Sequence, residues 1–260
     1  MSNKYWQDRE AEALAKITER SVKETEKLLA KSYSNSAKKV VEEFEATYEK
    51  LLKTIEEGRD PTPADLYKLE KYWQMSGKLN LELQKLGVEQ ERILTKKFLE
   101  EFAEIYGAIS FNDIEAFSTI NREGMVKAIN SIWCADGLTW SQRIWNNISL
   151  LTETLQEELV HCVVTGKKTS ELKNLLQDRF DISFNQADSL VRTEMAHIQT
   201  SAAQQRYTDY GITEVQVWAD EDERRCEVCG KLHEKKYPIH AAMPIPAHPR
   251  CRCTIIPVVE

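Results

Sequence analysis

The sequence lacks any hydrophobic run long enough to cross a membrane. Its longest stretch without a charge, from about Met195 to Gln205, is rich in Gln, Ser and Ala, and it is well short of the roughly 20 apolar residues that a spanning helix needs. The start of the chain, from Met1 to Glu10, has no apolar core of a secretory signal peptide. We therefore expect a protein that is made and used on the cytosolic side of a membrane.

An excess of positive charge is also missing. The 260 residues include 35 Lys and Arg against 42 Asp and Glu, a net charge of −7. A general nucleic-acid-binding protein usually carries a basic surplus, so free wrapping of DNA is disfavoured. Apolar residues make up 42% of the chain, which is enough for a buried core and excludes a disordered chain.

Proline is absent from Ala64 to Tyr237, and five of the seven prolines lie between Pro238 and Pro257. Because proline inside a helix costs about 3 kcal/mol, its absence permits long helices. Apolar residues spaced by 3 and 4 support this reading. They form three groups: Val41, Phe44, Tyr48, Leu51 and Ile55; Leu66, Leu69, Trp73, Leu79, Leu83 and Leu86; and Ile144, Ile148, Leu151, Leu155, Leu159 and Cys162.

Local signals predict where these helices begin and end. Stops are expected at Gly58–Pro61, Gly87, Gly166 and Gly211, with a further helix carrying Leu94, Phe98, Phe102, Ile105 and Ile109 after Gly87. Starts are expected at Thr62 with Pro63, and at Thr139 with Gln142. A short helix from about Ser170 to Phe180 should precede a long one that Ser183 and Gln186 cap and that runs to Tyr210.

After Gly211 the pattern changes to that of short strands. Glu214–Trp218 alternates, and Thr254–Val259 resembles a second strand, at a sheet edge because of Pro257. We predict a mostly α protein, α+β overall, with long helices in the N-terminal four-fifths and a small zinc-stapled C-terminal module with short β-strands. The predicted domains are a variable helical region, residues 1–121, a second helical part, 122–210, and a metal-binding module, 211–260.

Four of the six cysteines lie near the end of the chain, in a pattern typical of a metal site. Cys226-Glu-Val-Cys229 is a C-x-x-C knuckle, and His248-Pro-Arg-Cys251-Arg-Cys253 offers three more donors. Zinc takes four S or N ligands in a tetrahedron. We predict one structural zinc held by Cys226, Cys229 and Cys251. The fourth ligand is His248 by knuckle spacing or Cys253 by thiolate softness, and free thiols or disulfides are the alternative state.

Other interpretations concern the acidic residues. Glu158-Leu-Val-His161 and Glu194-Met-Ala-His197 resemble the Glu-x-x-His pairs of di-iron bundles, although the intervening helix is short. We favour structural roles for both pairs, and an ion pair of Glu194 with an arginine. A catalytic zinc would need an open position and a base, for which Glu227 and His233 are nearest in sequence.

A series of short motifs resembles the phage Mu F-like minor head proteins. The motifs run from about residue 130 to 257, and the N-terminal region matches no family. They comprise Trp140, Arg143-Ile144, Asn147, Leu190-Val191-Arg192-Thr193-Glu194, Tyr210-Gly211-Ile212, Trp218, Asp222, Arg225-Cys226-x-x-Cys229 and Pro246-x-His248-Pro249-x-Cys251-Arg252-Cys253. Leu232-His233-Glu234 departs from the turn that this family often has after the knuckle, so that turn should differ here.

The resemblance implies a minor capsid protein for head morphogenesis in a tailed bacteriophage, and no enzyme. Such a protein would bind the portal protein, with scaffold or major capsid protein as further partners and local contact with packaged DNA at most. It would be made in the host bacterial cytoplasm and would lie inside the virion head near the portal vertex. There it would support procapsid assembly and the packaging, retention or ejection of DNA. A zinc-dependent enzyme and a zinc-containing nucleic-acid adaptor are the alternatives.

Overall fold

The computed structural model describes residues 3–53, 62–110, 122–219 and 225–258. Helix accounts for 74% of it, with a small sheet near the C-terminus, so the predicted fold class is confirmed. The helices are α1 Asn3–Leu52, α2 Pro63–Tyr67, α3 Glu70–Ala108, α4 Arg122–Ile129, α5 Trp140–Val164, α6 Thr169–Asp209 and α7 Glu227–Leu232. The strands are β1 Glu214–Trp218, β2 Lys236–Pro238 and β3 Thr254–Pro257.

Two compact units make up the chain, and each is discontinuous in sequence. The terminal unit comprises Met1–Glu26, Leu94–Trp140 and Asp188–Glu260, and the middle unit comprises Lys27–Ile93 and Ser141–Ala187. The division into 1–121, 122–210 and 211–260 follows sequence character, and it stays a prediction. In the part of the chain that the structure describes, no helix has the length and apolar character to cross a bilayer.

The predicted apolar stripes of α1 and α5 form much of the core of the middle unit. Phe44, Tyr48 and Leu51 on α1 are at most 1% exposed. The stripe on α5 is buried from Ile144 to Cys162, and Gly166 follows with φ +62°, a left-handed turn that glycine favours. Three of the predicted features lie outside the described residues. They are Ile55 of the first apolar stripe, the helix stop at Gly58–Pro61, and Asp222 of the family motifs.

The predicted helix start at Thr62 is confirmed, but the helix it begins is short. The Asp65 carboxylate accepts a hydrogen bond from the Thr62 backbone N–H at 3.1 Å and from its hydroxyl at 2.7 Å. Pro63 opens α2, which ends at Tyr67, and α3 begins at Glu70. Trp73 does not join the buried stripe, since it is 58% exposed.

Gly87 does not end a helix, so that prediction is wrong. It lies inside α3, which continues to Ala108 and therefore also carries Leu94 to Ile105. A Cβ atom at Gly87 would lie 2.7 Å from Cζ3 of Trp145 on α5. The glycine permits close packing of two helices in the middle unit.

Ser183 does not cap a helix either, because α6 is continuous from Thr169 to Asp209. Its side chain is buried, and its hydroxyl donates to Asn147 Oδ1 at 3.2 Å and lies 3.2 Å from the hydroxyl of Tyr33. The separate short helix predicted from Ser170 to Phe180 is the first part of α6. A polar core contact therefore explains this serine.

The sheet of the terminal unit has the order β2-β1-β3, and both pairings are antiparallel. Val215 pairs with Tyr237 of β2 and with Pro257 of β3. The two predicted strands are confirmed, including β3 at an edge, whereas the three-residue β2 was not predicted. Ile256 of β3 packs with Trp218 of β1 and Ala11 of α1 in one buried cluster.

Candidate metal centre

The first arm of the centre is the C-x-x-C knuckle at the start of α7. Cys226 is the N-cap residue, and its sulfur accepts a hydrogen bond from the backbone N–H of Cys229 at 3.3 Å. The Gly230 N–H donates to the carbonyl oxygen of Cys226 at 2.9 Å. The first turn of α7 therefore brings the two sulfurs together, as the spacing predicts.

The second arm is the loop that leads into β3. The backbone N–H of Cys251 donates to the carbonyl oxygen of His248 at 3.2 Å, and Arg250 between them has φ +61°. Cys253 comes directly before Thr254, the first residue of β3. A tight turn and the sheet edge thus hold this arm in place.

The two arms meet, and Cys229 is common to both of the donor groups that could hold a metal ion. In each group, Cys226–Cys229–His248 and Cys229–Cys251–Cys253, the donor atoms lie within 4.8 Å of one another. The sulfurs of Cys229 and Cys251 are 3.8 Å apart. Two thiolates on a tetrahedral zinc, with Zn–S of about 2.3 Å, would be separated by about 3.8 Å. The donor set and this spacing fit a zinc ion.

His248 presents its Nε2 atom to the knuckle. Nε2 lies 3.3 Å from the Cys226 sulfur and 3.1 Å from the Cys229 sulfur. Nδ1 lies 2.8 Å from the carbonyl oxygen of Pro249, which can only accept, so Nδ1 carries the proton. Neutral His248 therefore directs its Nε2 lone pair at the two knuckle sulfurs, which is the orientation that a metal-binding histidine needs.

Hydrogen bonding divides the thiols into more and less acidic members. The backbone N–H of Cys229 lowers the pKa of Cys226, and the Cys253 thiol lowers the pKa of Cys251 to about 5. Burial raises the pKa of Cys229 to about 12. The pKa of Cys253 is raised because its S–H bond donates to the Cys251 sulfur. A metal must displace protons from this cluster, since the thiolate is the ligand form.

The loop of the second arm is tied to helix α6 through Arg250. Its backbone N–H donates to the hydroxyl of Thr193 at 3.0 Å, and its Nη2 donates to Asp188 Oδ2 at 2.8 Å. Arg192 Nε donates to the same Asp188 oxygen at 3.3 Å. Asp188, Arg192 and Thr193 of α6 thus support the loop of the second arm, a connection that the sequence analysis does not predict.

Glu194 and His197 lie in a separate polar cluster of the terminal unit. Trp133 Nε1 donates to Glu194 Oε2 at 3.0 Å, and the indole stacks on the His197 ring with centroids 4.4 Å apart. His197 Nε2 lies 3.2 Å from the Ser131 hydroxyl. The ion pair of Glu194 with an arginine stays a prediction.

Neither Glu-x-x-His pair belongs to a metal-capable group of the described residues. Glu158 of the other pair instead accepts from Arg179 Nε at 3.1 Å, within the middle unit. The di-iron interpretation therefore has no structural support.

Glu227 and His233 each have partners other than the cysteines. The exposed Glu227 carboxylate pairs with Lys231 Nζ at 2.5 Å. His233 Nδ1 accepts from the Ala219 N–H at 3.2 Å, and its ring packs edge-on against Trp218. The next residue, Glu234, has φ +60°, and its N–H donates to Val217. The expected unusual turn after the knuckle thus joins the sheet, and it places no base beside the donors.

Comparison with known proteins gives one informative match. Residues 153–256 match the family model described as Phage Mu protein F like protein. No curated protein and no solved structure matches the chain. The matched segment contains the C-terminal half of α5, all of α6, β1, β2, all but the last residue of β3, and both arms of the candidate metal centre. Residues 153–256 of this chain are therefore similar to the Mu F-like family, as the sequence motifs predicted.

Proposed function

We propose that this chain is a minor capsid protein that acts in head morphogenesis of a tailed bacteriophage. The Mu F-like match over residues 153–256 is the observation that carries the proposal. The family is one of structural phage head proteins and suggests a head morphogenesis role. The chain then works through assembly contacts, and not as an enzyme.

Within this function, the cysteine cluster holds one structural zinc ion. Cys226, Cys229, Cys251 and His248 are the ligands, because the unprotonated Nε2 of His248 points at both knuckle sulfurs. Cys253 donates its S–H bond to Cys251 from outside the ligand set. Three soft sulfur donors and one imidazole favour zinc over calcium or magnesium. Zinc binding contributes folding free energy, about 10 kcal/mol in small zinc modules.

The zinc-bound module forms a docking surface for the portal protein. Arg250 connects its loop to Asp188 and Thr193 on α6, which supports a rigid surface in place of a mobile tail. The net charge of −7 favours a protein partner and limits DNA contact to local sites. Scaffold and major capsid proteins are the further partners. The chain lies inside the head near the portal vertex and supports DNA packaging, retention or ejection.

Co-purification with the portal protein of the same phage tests this proposal. We expect the tagged full-length chain to retain the portal protein, and a Cys226→Ser/Cys229→Ser variant to lose it. The matched control is Cys134→Ser, which removes a cysteine outside the cluster. Failure to retain the portal protein, together with absence of the chain from purified heads by mass spectrometry, would contradict the proposal.

A further inference from the structure

A surface pocket of about 430 Å³ in the middle unit has two chemically different walls. Tyr67 of α2 and Tyr72 of α3 line one wall, and Glu153 and Glu157 of α5 line the other. We call it the aromatic–acidic pocket. It lies far along the chain from the cysteine cluster, and no step of the proposed function uses it.

The aromatic wall presents the exposed ring of Tyr67, which packs on the buried ring of Tyr72. Tyr67 is 47% exposed, and its ring centroid lies 5.3 Å from that of Tyr72 in an edge-to-face arrangement. Trp73, 58% exposed, packs edge-on against Tyr72 at 5.2 Å and donates its indole N–H to the Tyr67 carbonyl at 2.8 Å. Tyr67 and the neighbouring Trp73 thus form an exposed aromatic surface over the buried Tyr72, and such a surface is typical of a binding site.

The acidic wall places two like charges one helical turn apart. Glu153 and Glu157 are both exposed on α5, and neither has an ion pair among the residues that the structure describes. Like charges at this spacing destabilise a helix. A cation bound between them and the tyrosines would relieve that repulsion.

The two walls are held in position by contacts within the middle unit. Gln156, which also lines the pocket, donates its side-chain amide to the Ser76 hydroxyl at 2.8 Å and to Asn80 Oδ1 at 3.3 Å. These bonds join α5 to α3 through a residue that lines the pocket. The pocket is therefore preformed, which lowers the entropic cost of binding.

We propose that the aromatic–acidic pocket binds an arginine or lysine side chain from a basic segment of a protein partner. The face of an aromatic ring is electronegative and attracts a cation, and the two carboxylates act in the same direction. Nucleic acid is the wrong partner, because its phosphates would meet the carboxylates. The proposal does not depend on the assembly role proposed above.

A peptide titration of the full-length protein tests this site. The probe is an acetylated peptide with three arginines separated by glycines, and the reference peptide has the uncharged analogue citrulline in their place. The signal is the indole N–H resonance of Trp73 in a ¹H–¹⁵N spectrum, assigned with Trp73→Phe. We expect a saturable shift with the arginine peptide and none with the citrulline peptide.

Two variants remove one wall each. Glu153→Gln/Glu157→Gln should weaken peptide binding about fivefold, and Tyr67→Leu should weaken it by a similar factor. These effects are modest because water screens both the carboxylate and the aromatic attraction to a cation at a partly exposed site. Glu42→Gln/Glu45→Gln is the matched control, because it removes two carboxylates from α1 in the same unit. Its binding should equal that of the wild type. An unchanged far-UV circular dichroism spectrum confirms that each variant is folded.

Three results would overturn the proposal. They are no shift of the Trp73 signal with the arginine peptide, equal shifts with both peptides, and equal affinity of the wild type and Glu153→Gln/Glu157→Gln. Equal shifts would identify the pocket as an apolar contact site with no preference for a cation.

Discussion

His248 is oriented by the residue that follows it, since its Nδ1–H donates to the Pro249 carbonyl oxygen at 2.8 Å. This bond leaves Nε2 as the atom that faces the knuckle sulfurs. It supports the proposal of His248 as the fourth zinc ligand, because Nε2 lies 3.3 Å from the Cys226 sulfur and 3.1 Å from the Cys229 sulfur.

Substitution of the two candidates for the fourth zinc ligand should therefore have unequal effects on zinc affinity. Loss of a residue that only supports a ligand weakens metal affinity by about 10–100-fold. Cys253→Ser should lie at the lower end of that range, at about tenfold. His248→Gln removes a ligand, so it should weaken zinc affinity by more than about 100-fold. Competition with a chromophoric chelator measures both affinities. The reverse order would assign the fourth position to Cys253.

Gly87→Ala tests the close contact between α3 and α5. The added methyl group would overlap the Trp145 ring, so we expect it to be less stable than Gly77→Ala by about 1–3 kcal/mol. Gly77 is the control because nothing lies within 4 Å of its Cβ position. Its replacement by alanine should stabilise the helix by about 1 kcal/mol. Urea unfolding of both variants gives the difference, and equal stabilities would show that the ring moves aside freely.

Tyr33→Phe removes the centre of a buried polar network in the middle unit. The Tyr33 hydroxyl accepts from Asn147 Nδ2 at 3.1 Å and lies 3.2 Å from the Ser183 hydroxyl. Since its loss leaves the half-buried Asn147 amide without one of its partners, the free energy of unfolding should fall by about 0.5–1.5 kcal/mol. Thermal unfolding followed by circular dichroism measures this. An unchanged midpoint would mean that the network does not stabilise the fold.

His197 should make stability depend on pH. Burial lowers its pKa from 6.5 to about 4. Between these values the unfolded chain binds a proton that the folded chain does not, so stability falls as pH falls from 6.5 to 4 and is full above 6.5. The contribution is at most about 3 kcal/mol.

His197→Gln should therefore reduce the difference in unfolding free energy between pH 7.5 and pH 5. Urea denaturation at the two pH values measures it. The exposed His240 offers the matched substitution, His240→Gln, for comparison. If His197→Gln retains the full wild-type difference, the buried histidine is not its source.

Local spacing was sufficient to predict the cysteine cluster and most of the apolar stripes. The knuckle needs only the first turn of α7, and the stripes need only helical periodicity. The predictions for Gly87 and Ser183 are wrong because the sequence does not distinguish a glycine or serine inside a helix from one that ends or begins a helix. Their roles depend on Trp145, Tyr33 and Asn147, which are distant along the chain.

The contacts that hold the loop of the second arm could not be predicted from the sequence for the same reason. Arg250 meets Asp188 and Thr193 across roughly 60 residues of sequence, and no local pattern indicates such a pairing. Strand β2 was missed because three residues that end in proline carry no alternation.

Zinc K-edge X-ray absorption of the full-length protein, purified with zinc present, tests the central claim most directly. We predict one zinc per chain with three sulfur atoms at about 2.3 Å and one nitrogen atom at about 2.0–2.1 Å. A protein that binds no zinc under these conditions, with the thiols of Cys226, Cys229 and Cys251 free, would contradict the claim.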